Sequence, residues 1–529
     1  MSYHVTSNRS LFRSILVGII LGLVATPDIV LANQLKPQGT QRFSEVAGLS
    51  GIGPYTNAVG MTAGAAVADF DADGKLDIFV PNGHGVADQL YHNLGNGQFV
   101  DIAGAKNLDS LVNNRGALWF DYDDDGDLDL LVLADDYLKE SDFVPSNLTL
   151  YRQDPSGNFT DVTVAAGLFG ALNDPIANSE NHLGGAAVAD LDNDGYLELL
   201  VGFWRGEAFL YQNNAGVFAP SSVIPLGPGD YWQPVFADFD DDGYQDLFMA
   251  VDFNKNLFFH NQGGTQFIEM GQALGMQNDE QNDMGAAVGD VDNDGDLDLF
   301  VSNIYSGETR RNHLYVNESM PGNPDFTERA VQAGVADSGW GWGATFTDYD
   351  GDSRLDLAVT NGFFGEVDAT KLFKNNGGMP SSFTDVAGIE GFDDTEWGAC
   401  LLSFDYDADG DVDFLQTTVN GPLRLMANEG AASGNYLKVR PRMRSGNRFA
   451  IGALVTTEFD SKILSRLITA GTSLMCQEPA EALFGLGSTT EINKLTIKWP
   501  EGHVTVLTKI GANRVIDIND DLIFINAFN

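Results

Sequence analysis

Asp69-Phe70-Asp71-Ala72-Asp73-Gly74-Lys75-Leu76-Asp77 is the stretch on which the fold turns. It sets acids at alternate positions, places a Gly where the chain must turn sharply, and ends on a further acid. The same pattern starts again at Asp121, Asp190, Asp238, Asp290, Asp348 and Asp405, in steps of 52, 69, 48, 52, 58 and 57 residues. A period of this length marks a repeat architecture in which each copy is one supersecondary unit.

Each acidic stretch follows a short apolar run such as Gly64-Ala65-Ala66-Val67-Ala68 and enters another such as Leu76-Asp77-Ile78-Phe79-Val80. The pattern therefore predicts an acidic loop joining the two strands of a hairpin. A third element of the form Leu-Tyr-x-Asn comes next, as at Leu90 to Asn93 and Leu314 to Asn317. A turn then leads to a fourth strand opening on Phe99, Phe159, Phe218, Phe267, Phe326 or Phe383. Four strands per repeat, seven times over, predict an all-β chain: a seven-bladed β-propeller with calcium-loop repeats plus a small C-terminal β-domain. Phe43-Ser44-Glu45-Val46 precedes the first loop and no such strand comes after the seventh, so the amino-terminal strand is expected to close the last blade. The residue five before each first Asp is Gly in five copies, with Gln233 and Cys400 in the others, which suits an innermost strand at a crowded axis.

The loops offer hard oxygen ligands in the number and spacing that Ca²⁺ takes, and Mg²⁺ prefers fewer protein ligands. No His or Cys stands within them, which disfavours zinc and copper. The expected metal ligands are Asp69, Asp71, Asp73 and Asp77; Asp121, Asp123, Asp125 and Asp129; Asp190, Asp192, Asp194 and Glu198; Asp238, Asp240, Asp242 and Asp246; Asp290, Asp292, Asp294 and Asp298; Asp348, Asp350, Asp352 and Asp356; Asp405, Asp407, Asp409 and Asp413. That gives several Ca²⁺ ions, up to seven. The sixth loop carries Ser353 where the others have Gly, a strained choice in a left-handed turn, and is expected to lose its ion first.

Lys and Arg number 29 against 75 Asp and Glu, a formal charge of −46, which excludes a nucleic-acid partner because phosphate binding needs a basic footprint. Residues 1–32 read as a signal peptide: Arg9 and Arg13 precede an apolar run from Ser14 to Ala25, too short to span a bilayer. The expected location is secreted, periplasmic or cell surface, with no transmembrane anchor after signal removal. Cys400 and Cys476 are too few for a disulfide framework and read as two separate small packing residues, one bridge being the alternative. If the acidic loops share one face, Trp204, Arg205, Trp232, Trp340, Trp342 and Trp397 ring the opposite mouth of the channel, as a partner-binding surface or as a plug. His84, His182 and His313 are expected in loops, and His92 and His260 on the third strand.

The repeats resemble FG-GAP, or VCBS-type, repeats, known best from the calcium-binding propeller of integrin α chains. From Asn435 onward, Asn447-Arg448-Phe449-Ala450-Ile451-Gly452-Ala453, Phe484-Gly485-Leu486-Gly487 and Leu495-Thr496-Ile497-Lys498-Trp499-Pro500-Glu501-Gly502 are similar in order to the ASPIC/UnbV domain. That domain follows FG-GAP-like repeats in the cartilage acidic protein family and its bacterial relatives. The stretch Gly471 to Gln477 departs from the family's Gly-x-Gly-Tyr-x-Ser-Gln. The resulting division is 1–32, a propeller over 33–430 and a β-domain over 431–529; the last carries 11 Lys and Arg against 9 Asp and Glu, so the acidity belongs to the propeller. No catalytic residue is assigned, since the chain has no Gly-x-Ser-x-Gly elbow, His-Glu-x-x-His or phosphate loop. Three functions stay open: a calcium-binding adhesion or protein-interaction module, an extracytoplasmic enzyme or biosynthetic accessory, and a carbohydrate-binding propeller. The ligand is expected to be a protein or glycan on the face opposite the calcium loops.

Overall fold

The computed structural model describes residues 41–53, 63–83, 85–134, 148–168, 182–277, 282–305, 310–363, 368–378, 380–419, 421–430 and 434–520. The signal-peptide reading and His84 lie outside these residues, as does the boundary near residue 431. No helix among the described residues is long and apolar enough to cross a membrane.

Seven four-stranded antiparallel sheets succeed one another along the chain. In the third, Ala186 to Ala189 pairs with Glu198 to Val201, that strand with the one at Ala208–Asn213, and that in turn with Phe218–Ser221. The first two strands of each hairpin are short and apolar on both faces, as fully enclosed strands are: Glu198–Trp204 is buried at every position. Fourth strands bury the opening Phe and expose the residues after it, as in Phe159–Asp161. Phe43–Glu45 pairs with Arg424–Asn428, so the amino-terminal strand completes the seventh sheet as expected, and Phe43 packs against Phe392 and Phe414 at 5.3 and 5.4 Å.

The polar residue of Leu-Tyr-x-Asn is the tie between sheets. The Asn213 side-chain amide donates to the Tyr122 carbonyl of the preceding sheet at 2.9 Å, and Asn261 does the same to Leu191 at 2.9 Å. Asn317, Asn375 and Asn428 repeat the bond onto Phe239, Val291 and Tyr349, and Gln153 makes it onto Phe70. Asn93 of the first sheet donates to Tyr406 of the seventh at 3.0 Å, which closes the circuit.

The carboxy-terminal part adds two sheets. Asn435–Arg442 lies between Ala482–Gly487, antiparallel, and Arg514–Asn519, parallel, while Leu454–Phe459 and Glu491–Lys498 form the middle of a four-stranded sheet. Their apolar faces join one continuous core with residues of the propeller.

Candidate metal centres and the plugged channel

Every loop is wound by its first carboxylate. Asp121 accepts the backbone N–H of Asp125 at 3.1 Å and of Gly126 at 3.0 Å, and Asp190, Asp238 and Asp405 do the same in their loops. Two residues per turn adopt left-handed backbone. The sixth position does so as predicted, with φ of 98° at Gly126 and 75° at Ser353, but the fourth does too, with φ near 60° at Asp124, Asn193 and Asn293. Asn and Asp tolerate that region better than other side chains, so the fourth position carries a turn signal of its own in the sequence.

The ninth residue is held from both sides. Asp298 accepts the N–H of Val291 at 2.8 Å and of Asn317 at 2.8 Å, and Asp413 accepts those of Tyr406 and Asn428. Glu198 makes the corresponding bonds to Leu191 and Asn213, so its longer arm preserves the pattern.

What remains unmet in the loops is oxygen. The Oδ1 atoms of Asp123, Asp192, Asp240, Asp292, Asp350 and Asp407, all at the third position, are buried without a hydrogen-bond donor, as are Asp77 Oδ2, Asp290 Oδ2 and Asp356 Oδ2. A buried carboxylate oxygen without a donor is costly unless a cation meets it. Burial and the neighbouring loop carboxylates push Asp77 up to about 8, Asp129 and Glu198 to about 9, and Asp121, Asp190 and Asp290 to about 7. Loop carboxylates also lie close enough to serve one ion, as Asp121 with Asp123 and Asp129, or Asp190 with Asp192 and Asp194. The donor set fits a hard divalent cation.

In two loops an imidazole joins the carboxylates. The third strand brings His260 Nδ1 to 3.1 Å from Asp246 and 3.5 Å from Asp240, and His92 Nδ1 to 3.0 Å from Asp77 and 3.5 Å from Asp71. These nitrogens come from outside the loop sequence, so a reading confined to the loops does not find them. His313 is likewise no loop residue: it lies buried in the strand His313–Asn317, stacked on Tyr315, and burial with the nearby Arg311 pushes its imidazole down to about 3.

The channel is filled from the loop side by residues 470–477. Their backbone pairs with inner strands as a further strand would: Ser473 exchanges bonds with Ala286 at 2.9 and 3.0 Å, and Gln477 with Ala65 and Val67 at 3.1 and 3.0 Å. Val188 donates to Ala470, and Leu401 to the Ser473 hydroxyl. The Gln477 amide bonds both the N–H and the carbonyl of Trp119, at 2.5 and 2.8 Å. Glu478 accepts Thr345 at 2.7 Å and Ser403 at 2.9 and 2.8 Å. With Gln233 holding the Met475 N–H at 2.9 Å, all seven sheets touch this segment.

The plug explains the glycine position. A Cβ on Gly285 would lie 2.6 Å from the Ser473 carbonyl, so the crowding at the axis comes from this segment as much as from neighbouring sheets. The two repeats without Gly there use their side chains to grip the plug. One is Gln233. The other is Cys400, which is disulfide-bonded to Cys476 with Cα atoms 6.1 Å apart. The expectation of two separate thiols is therefore wrong: the pair comes together only because residue 476 is carried down the channel.

Cations of the carboxy-terminal part meet the loops. Lys498 Nζ lies 2.6 Å from Asp238, Lys438 Nζ 3.1 Å from Asp405, and Arg448 Nε 2.7 Å from Asp124.

At the other mouth the tryptophans divide. Trp232 and Trp342 are 1% exposed and meet edge to face at 6.1 Å, so they plug the channel and cannot contact a partner. Trp204 is also buried, stacked on Trp232 at 6.0 Å with its indole donating to Asp252. Trp340 and Trp397 are partly exposed around Phe363, Trp340 stacking on it at 4.2 Å, and exposed Arg205 covers the Trp204 ring at 4.3 Å. Phe253, 51% exposed, and Tyr305, 40% exposed, occupy matching positions after second strands; the sequence reading passed over Phe253.

Comparison with known proteins agrees with this construction. The model of the FG-GAP-like repeat matches residues 69–132, 190–249 and 238–301, and that of ASPIC and UnbV matches residues 443–521. Cartilage acidic protein 1 of Mus musculus is 26% identical over 275 residues, 49% of this chain and 40% of that protein. The Homo sapiens protein of the same name is 27% identical over 266 residues, 49% of this chain and 39% of that protein. The chain thus spans less than half the length of the curated relatives it matches. Among solved structures, a chain from the crystal structure of BBS1N in complex with ARL6DN, soaked with mercury, aligns with a TM-score of 0.43 at 11% identity, covering 72% of this chain and 96% of that one. So loose a likeness carries no argument. The repeats and the closing domain together make this chain a β-propeller protein of FG-GAP-like repeats with an ASPIC and UnbV domain, similar over about half of its length to cartilage acidic protein 1.

Proposed function

We propose that the protein is an exported interaction module, acting in adhesion or matrix assembly, whose propeller is held in shape by Ca²⁺ in its acidic loops. The observation that carries the metal part is the set of buried third-position carboxylate oxygens without donors, repeated in six loops. Export is supported by the Cys400–Cys476 bond, which belongs to an oxidising compartment, and by the signal-like residues 1–32. The division into a propeller over 33–430 and a β-domain over 431–529 is part of the same reading.

The partner is proposed to be a protein seated on the face opposite the loops. The loop face is occupied by the carboxy-terminal sheets, whereas the other mouth offers Phe253, Tyr305, Arg205 and the edges of Trp340 and Trp397, four aromatics and an Arg, residue types that carry binding energy. The stacked Trp340–Phe363 pair favours a glycan as second reading. The test is capture from the envelope of the producing cell, with a glycan array in parallel. Phe253→Ala combined with Tyr305→Ala should abolish capture while leaving the melting temperature within about a degree or two, as exposed substitutions do; capture that survives this change places the partner elsewhere. Array binding without protein capture selects the glycan.

A further inference from the structure

In five sheets the side chain just before the third-strand Asn or Gln reaches that sheet's own acidic loop, and in the first, third and fourth it is His92, Gln212 or His260 beside the third-position Asp. In the fifth and seventh sheets it is Val316 or Ala427, without a polar group. In the second it is Arg152, whose Nε lies 2.8 Å from Asp123 Oδ2 and whose Nη2 lies 2.9 Å from Asp125 Oδ2. In the sixth it is Lys374, whose ammonium pairs with Asp350 and lies 3.6 Å from Asp352. Both pairs join the third and fifth positions, two of the oxygen donors a divalent ion needs. Among the described residues one cationic side chain spans both positions only in these two loops.

We infer that Arg152 and Lys374 are tethered cations that stand in for the metal in the second and sixth loops, so that the propeller holds five divalent ions and not seven. The inference rests on the metal reading of the loops and adds to it a rule of occupancy. An ion entering either loop has to displace a like charge already bonded to its ligands, on a strand held in register by Asp129 or Asp356 bonding the next backbone N–H. The sixth loop shows a second sign of the same exemption: Ser353 replaces the Gly of the sixth position. Lys498 and Lys438 differ from these two: among the acids at the first, third, fifth and ninth positions they reach only the first, Asp238 or Asp405, and do not join the third to the fifth.

Native mass spectrometry of the full mature chain in calcium acetate counts the ions directly. The expected count is five for the wild type, six for Arg152→Val or Lys374→Val, and seven for the double variant, Val being the residue that the fifth sheet already uses. Val316→Lys should lower the wild-type count by one. A wild type holding seven ions overturns the inference while leaving the metal reading intact, as does a double variant that gains none. A wild type holding no ion at all overturns both.

Discussion

Gln477→Met removes the two bonds by which the plug holds the second sheet and keeps the volume of the side chain, so polarity is the only large change. The Trp119 N–H and carbonyl face the axis, away from the strand that pairs with Leu118, and Gln477 satisfies both from a site 2% exposed. Each buried group left without a partner costs about 1–3 kcal/mol, so the substitution should destabilise by roughly 2–6 kcal/mol. The Gln477 backbone bonds to Ala65 and Val67 are untouched, as is the Cys400–Cys476 bond, so the segment stays in the channel. Guanidinium unfolding with and without calcium, read by tryptophan fluorescence, reports the loss as a lower midpoint at unchanged slope. A shift worth less than about 0.5 kcal/mol would show that Trp119 finds water or another partner, and the plug would then not support the ring through this residue.

Other contacts of the ring and its loops lead to further outcomes. Ser353→Gly relieves a left-handed φ of 75° and removes a buried hydroxyl without a partner, and should raise stability by about 1 kcal/mol in thermal unfolding. Deleting residues 41 to 48 leaves Arg424–Asn428 with an open edge, so the truncated chain should aggregate or lose cooperative melting, as read by light scattering and calorimetry. Burial raises the folded pKa of Asp77 to about 8 and of Asp190 and Asp290 to about 7, so between about pH 4 and 8 these groups bind more protons in the folded state than in the unfolded one. Metal-free protein should therefore lose stability as pH rises through that window, and saturating calcium should flatten the dependence; a chelated protein whose melting temperature rises from about pH 5 to pH 8 contradicts this.

The fold was legible because its signals are local. Alternating acids, the Gly of the sixth position and the Phe that opens each fourth strand recur at short range in every repeat, and Phe43-Ser44-Glu45 told of the closure by being one strand too many. The remainder depended on partners distant in sequence. Gln477 meets Trp119 across 358 residues, and the Cys400–Cys476 bond spans 76. The breaks in the Gly pattern at Gln233 and Cys400 were visible, but only the plug says what they hold. Arg152, Lys374, His92 and His260 sit on third strands, where an alternating pattern says that a side chain faces one way without saying that it meets an acidic loop. The tryptophans illustrate the opposite limit: their clustering was foreseeable from the repeat register, while burial of Trp232 and Trp342 depends on how the inner strands converge.

The central claim is that the acidic loops are cation sites on which the propeller depends, and thermal unfolding of the mature protein at about pH 7.5, in calcium and then in excess EDTA, tests it most directly. Each occupied site adds about 2.7 kcal/mol when free calcium is roughly 100-fold above its Kd, and several sites acting together should lower the melting temperature by many degrees on chelation, with recovery when calcium is restored. Coincident melting curves in calcium and EDTA would contradict the account.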